Sequence, residues 1–159
     1  MDLIRNIDKT DKLILACLIE NARMPYTEIA KKVNVSAGTI HGRVKKLEKR
    51  KIITGATLRV NYEVVGYTFT AYVGVILGRT LESEKIIDRM TKIPEITVAS
   101  VISGQYGILC KIRCRDTKQA KNIIYKISSI PGVIRTESMI SLEESINDKE
   151  RLFKSIFET

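Results

Sequence analysis

The 159-residue chain has no tryptophan and a single histidine, His41, which excludes a catalytic or metal centre built on several histidines. Its three cysteines, Cys17, Cys110 and Cys114, form no CxxC pair. That leaves neither a zinc site nor a disulfide framework, and it fits a reducing compartment. Cys110 and Cys114 stand about 13 Å apart by strand rise, too far to bridge. No run approaches eighteen apolar residues, so no membrane span is expected. The first residues have no apolar core ending in small residues, so they do not read as a secretory signal. Neither GxxxxGKS/T nor GxGxxG occurs, and His41 has no matching serine or cysteine motif. An enzyme, a metal site and a cofactor are therefore not expected, and the expected location is the cytoplasm.

What is present is positive charge, and it is segregated. The chain carries 27 basic and 18 acidic residues, a net +9. Residues 1–60 hold 13 basic and 6 acidic residues, while the remainder holds 14 and 12. A basic module of that kind calls for a polyanion, most often nucleic acid.

The basic module reads as three helices. Asp8 is a candidate N-cap, with Asp11 adding negative charge to the first turn, and Ile14, Leu15, Leu18 and Ile19 share one apolar face. Pro25 marks a boundary, and a short helix follows with Ile29, Ala30 and Val33 inward. Asn34-Val35-Ser36 reads as a tight turn whose serine caps a third helix. Ile40, Val44 and Leu47 form that helix's inner stripe. Gly38, Gly42, Lys45 and Lys49 fall opposite, with Thr39, Arg43, Lys46 and Arg50 on one flank. This is the pattern of a helix-turn-helix. The β-branched run Ile52–Val60 predicts a small β wing, or a strand leading into a linker at 61–66.

The second half contains a repeat. Ile93-Pro94-Glu95-Ile96 and Ile130-Pro131-Gly132-Val133 lie 37 residues apart, each after a helical pattern and before a strand pattern. Strands are predicted at Thr70–Leu77, Ile96–Ser103, Ile108–Cys114 and Val133–Leu142. Helices lie between the members of each pair. Two successive βαβ units give a ferredoxin-like α+β sandwich, with an antiparallel sheet and both helices on one face. The expected division is 1–60 for the helix-turn-helix domain, 61–66 for the linker, 67–145 for the sandwich and 146–159 for a tail. That tail has Leu152, Phe153, Ile156 and Phe157 at helical spacing.

The third helix is the first candidate site. From Ser36 to Lys51 there are six basic residues and one acid, Glu48. Its capped N-terminus offers free N–H groups to a phosphate, and Gly38 and Gly42 let the backbone approach a groove. Thr39, His41, Arg43 and Lys45 can reach base edges or phosphates of double-stranded DNA. The assigned DNA-facing set is Ser36, Gly38, Thr39, His41, Arg43, Lys45, Lys46, Lys49 and Arg50. The second candidate is the turn Ser103-Gly104-Gln105-Tyr106-Gly107, whose consecutive N–H groups could form a nest for a carboxylate. A plain hairpin turn is the alternative.

Together these segments resemble the Lrp/AsnC, or feast/famine, family of prokaryotic transcription regulators. The resemblance spans roughly residues 6 to 145. It is carried by Ile7-Asp8 with Asp11, Tyr26-Thr27-Glu28-Ile29-Ala30, Val35-Ser36, Arg43-Val44-Lys45-Lys46-Leu47, Ile52-Ile53-Thr54-Gly55 and Ser103-Gly104-Gln105-Tyr106. Gly38-Thr39-Ile40-His41 and Ile53-Thr54-Gly55-Ala56 look like the asparagine-responsive branch. The resemblance implies a winged helix-turn-helix joined to a ligand-sensing sandwich, the RAM domain. It also implies homodimers that pair face to face and assemble into tetramers or octamers on the nucleoid. A small effector, usually an amino acid, would bind between dimers near Ser103, Gly104, Gln105, Tyr106 and Gly107, with Ser128, Thr136 and Ser138 near the cleft.

Two positions depart from the family. Many members have an acidic residue where this chain has Gly107, and aspartate is common where it has Gln105. A carboxylate at the first position could hold an effector's α-amino group, which glycine cannot do. The competing reading is an effector-independent architectural protein that wraps DNA with little sequence preference.

Overall fold

A computed structural model describes residues 7–78, 83–148 and 150–157. The chain divides into two compact units. One comprises the residues up to Arg59 together with the segment from Ile146, and the other runs from Val60 to Ser145.

The first unit begins with α1 (Lys9–Glu20), α2 (Tyr26–Val33) and α3 (Ala37–Lys49). Asp8 caps α1 by accepting the Asp11 backbone N–H at 2.8 Å. Between α2 and α3, Asn34 takes the left-handed conformation, and the Val35 N–H closes on the Ala30 carbonyl. Ser36 then caps α3 through the Thr39 N–H at 3.1 Å. These local devices make the tight turn that the sequence predicts. Ile14, Ile29, Ile40 and Val44 close the core between the helices. Burying each such side chain contributes about 1.5–3 kcal/mol.

The predicted wing is absent. Residues 54–61 adopt no regular secondary structure. A β-branched run becomes a strand only when it finds a partner edge, and among the described residues this unit offers none. The tail forms α6 (Glu150–Phe157), which lies against α1 in the same unit. Leu152 on it stays exposed, and the side chains of Ile156 and Phe157 lie outside the described residues.

The second unit is the expected sandwich: β1 (Phe69–Leu77), α4 (Ser83–Met90), β2 (Ile96–Val101), β3 (Ile108–Cys114), α5 (Thr117–Ser128) and β4 (Val133–Ile140). The sheet order is β2-β3-β1-β4, and every pairing is antiparallel. Along β3, burial alternates strictly, so Ile108, Cys110, Ile112 and Cys114 face the helices. They share one core with Ala71, Val73 and Val75 of β1, Ile86 and Met90 of α4, and Ala120, Ile123 and Ile127 of α5. Among the described residues of this unit, no helix packs on the opposite face. It carries Tyr72 paired with Lys111, Thr70 with Arg113, and Gly74 flanked by Leu109 and Glu137.

That open face is strapped at one end. Asn61 closes a turn by accepting the N–H groups of Glu63 and Val64. Arg113 lies 4.8 Å from the Tyr62 ring centre and donates to Glu144 at 3.0 Å. Lys111 also pairs with Glu144.

Candidate functional site

The outer face of α3 is built as the sequence predicts. Ser36, Gly38, Thr39, His41, Lys45, Lys46 and Lys49 are all exposed, and Arg50 is half-buried. A methyl group placed on Gly42 would meet nothing within 4 Å. Among the described residues, no carboxylate pairs with Lys45, Lys46 or Lys49. Three uncompensated ammonium groups therefore stand on one side of a helix whose glycines keep the backbone accessible. The Ser36 and Thr39 hydroxyls bond each other at 2.8 Å, and the His41 ring lies 6.0 Å from that of Tyr26 on α2. These contacts orient the exposed polar groups at the start of α3.

Arg43 is placed differently from its neighbours. Its guanidinium donates to Asp8 at 2.6 Å and to Asp11 at 2.8 Å. The bond from Arg43 holds the Asp8 carboxyl below its ordinary value, with the Asp11 N–H adding to the effect. The bonds to the Asp8 and Asp11 carboxylates push Arg43 further up. Arg43 thus ties α3 to the first turn of α1 and is not a free cation on the outer face.

The turn from Ser103 to Gly107 joins β2 to β3. Gly104 has φ +114°, a conformation that favours glycine. Ser103, Gly104 and Gln105 are exposed, while Tyr106 and Gly107 are half-buried. Tyr106 folds back over the open sheet face, where its ring occupies the space above Gly74; a Cβ there would lie 2.6 Å from the ring. Its hydroxyl donates to Glu137 on β4 at 2.7 Å and Gln105 donates to the same oxygen at 3.3 Å, while Arg135 pairs with the other oxygen. The hydrogen bond to Glu137 pushes the Tyr106 phenol up. The expected nest is incomplete, because the Gly107 N–H is taken by the Val75 carbonyl at 3.0 Å. A side chain at Gly107 would also strike Leu77 at 2.6 Å.

Ser128, Thr136 and Ser138 are elsewhere. Thr136 and Ser138 stand opposite Val75 and Val73, on the helix-facing side of β4. The Thr136 hydroxyl bonds Ser128 of α5 at 2.7 Å. Ser138 and Ile140 form one wall of a shallow groove, with Lys121, Ile124 and Tyr125 of α5 on the other. Within one chain, then, the candidate effector residues fall into two groups on opposite faces of the sheet.

Sequence reasoning missed two carboxylate roles. In the sequence Asp8 reads as an N-cap and Asp11 as a first-turn charge, and no motif marks Glu137. Strand alternation does separate Glu137 from Thr136 and Ser138, but meeting Tyr106 depends on the β1–β4 register.

The comparisons with known proteins agree with this architecture. Residues 7–48 match the AsnC-type helix-turn-helix domain, and residues 70–150 match the Lrp/AsnC ligand binding domain. An HTH-type transcriptional regulator of Pyrococcus furiosus is 38% identical over 139 residues, covering 86% of this chain and 92% of its own length. The regulatory protein AsnC of Escherichia coli is 36% identical over 141 residues, covering 88% and 93%. The solved structure of E. coli AsnC is similar at a TM-score of 0.84 and 34% identity, covering 89% of this chain and 95% of that one. A feast or famine regulatory protein of M. tuberculosis, complexed with L-methionine, shares the fold at a TM-score of 0.83 and 23% identity, covering 90% and 97%. By two family models that together span most of its length, and by relatives alike over nearly all of it, the chain belongs to the Lrp/AsnC family of transcriptional regulators.

Proposed function

We propose that this regulator reads a specific DNA sequence through α3 and that an amino acid, with asparagine the first to test, adjusts its assembly and DNA affinity. The observation that carries the first part is the exposed α3 face, with Gly38 and Gly42 beside Lys45, Lys46 and Lys49, with which no carboxylate among the described residues pairs. In a dimer, two such helices would enter successive major grooves, about 34–36 Å apart. Lys45, Lys46 and Lys49 would neutralise phosphates, while Thr39 and His41 would reach base edges. The family is one of regulators rather than enzymes. The work belongs in a prokaryotic cytoplasm, at the nucleoid.

The second part rests on the Tyr106–Gln105–Glu137 cluster. Glu137 supplies a carboxylate next to the turn, a group that Gly107 cannot provide. The turn and the α5–β4 groove occupy opposite faces, so an effector touching both would bind between copies. Tetramers or octamers built from dimers supply such junctions, and an effector that prefers one assembly would shift the population towards it. Domain limits near residues 60, 66 and 145 serve this division of labour.

A melting-temperature screen against the twenty amino acids tests the effector. A ligand at 100 times its Kd adds about 2.7 kcal/mol, a shift of several degrees. One observation favours an effector-free architectural protein instead: Leu77 fills the space beside Gly107. No shift with any amino acid, together with equal affinity for all DNA sequences, would establish that second reading.

A further inference from the structure

One interaction joins the start of the chain's first helix to the middle of its third. Arg43 Nη1 donates to Asp8 Oδ2 at 2.6 Å and to Asp11 Oδ1 at 2.8 Å. Asp8 is the N-cap of α1, and Asp11 lies in its first turn with only 7% of its surface exposed. A carboxylate so far out of water requires a cationic partner. Arg43 follows Ile40 by three positions and precedes Val44 and Leu47, so it borders the buried stripe of α3. The Lys45, Lys46 and Lys49 side chains on the same helix are exposed, whereas that of Arg43 is 32% exposed.

The electrostatics argue against phosphate contact. With two carboxylates on one guanidinium, the cluster carries a net negative charge. A DNA phosphate approaching it meets Asp8, which is about half-exposed, beside the cation. Geometry favours another role. A bridge from a helix start to one edge of a neighbouring helix resists rotation of that neighbour about its axis. The direction in which Gly38, Gly42 and the lysines point depends on that rotation.

We propose that Arg43 is a positioning residue. Clasped by Asp8 and Asp11, it fixes the roll of α3 on α1 and thereby sequence discrimination, without itself neutralising a phosphate. The inference rests on α3 being the DNA-reading helix.

The test uses the full chain and two duplexes: the tightest one the wild type recovers from a randomised pool, and a scrambled version of it. Binding is titrated over a range of salt concentrations for the wild type, Arg43→Ala and Asp8→Asn. Asparagine keeps the N-cap but removes one of the two charges that hold Arg43, and so loosens the clasp and makes the module more positive. The expected result for both variants is a preference for the recovered duplex reduced by about tenfold or more, the size of losing one base-pair readout, with an unchanged salt slope. A slope reduced by about 0.9 for each bound Arg43→Ala chain, with preference intact, would make Arg43 a phosphate contact and overturn the proposal. So would equal tightening of Asp8→Asn on both duplexes, which would mean that the clasp merely sequesters a cation. Thermal melts check that each variant is folded, and if Arg43→Ala is not, Asp8→Asn alone decides. A wild type with no preferred duplex would instead overturn the proposed reading by α3, and this inference with it.

Discussion

Cys110 and Cys114 face the helices inside the sandwich core, where burial pushes both thiols up to about 11. Cys17, packed only at the edge of the other core, is half-buried. At neutral pH a thiol reagent should therefore react rapidly with at most one cysteine of the native chain and with all three after denaturation. Fast reaction of two or more in the native state would contradict the packing. Asp8 gives a pH prediction of definite sign. Its folded value lies below the ordinary 3.8, so its pairing with Arg43 stabilises the helical unit above that pH and is lost as pH falls through the lowered value. Melting temperature should be flat from pH 7 to 5 and fall below about pH 4, and the part of that fall due to Asp8 should vanish in Asp8→Asn. The Ser36 cap and the lysine face were legible in the sequence because they depend on spacings of three and four residues. The Arg43 clasp was not, because its partners lie 35 and 32 positions away.

At the scale of elements, α3 has separable faces. Ile40 is completely buried and Lys49 is exposed. Ile40→Ala should destabilise the helical unit by about 2–5 kcal/mol in chemical denaturation. Lys49→Ala should leave stability within about 0.5 kcal/mol and reduce affinity for every duplex alike. The reverse pattern would mean that α3 is turned differently. In the sheet, Gly74 gives Tyr106 its place. Gly74→Ala should displace the ring, break the bond to Glu137 and weaken the proposed response to an amino acid, while DNA binding in its absence persists. Unchanged effector affinity would remove the Tyr106–Glu137 cluster from the site. The strands and both βαβ units were readable from alternation and from the repeated Ile-Pro pair. The wing was misread because β-branched composition reports a residue preference, whereas a strand requires a neighbour. The division of candidate effector residues between two faces was half-legible. Alternation assigns Thr136 and Ser138 to one side, but only the β1–β4 register brings Glu137 to Tyr106 across Gly74.

At the scale of the whole molecule, the proposed tasks fall to different units. The basic excess is concentrated with the helix-turn-helix, while the sandwich carries the turn and groove proposed to meet between copies. Sequence discrimination by α3 is the claim on which the regulatory reading depends. It is tested most directly by competition at fixed salt between the duplex recovered from a randomised pool and random DNA of equal length. The recovered duplex should be preferred by about a thousandfold or more, the lower range for specific regulators. Equal affinity for both would contradict discrimination by α3 and leave a protein that holds DNA through charge alone.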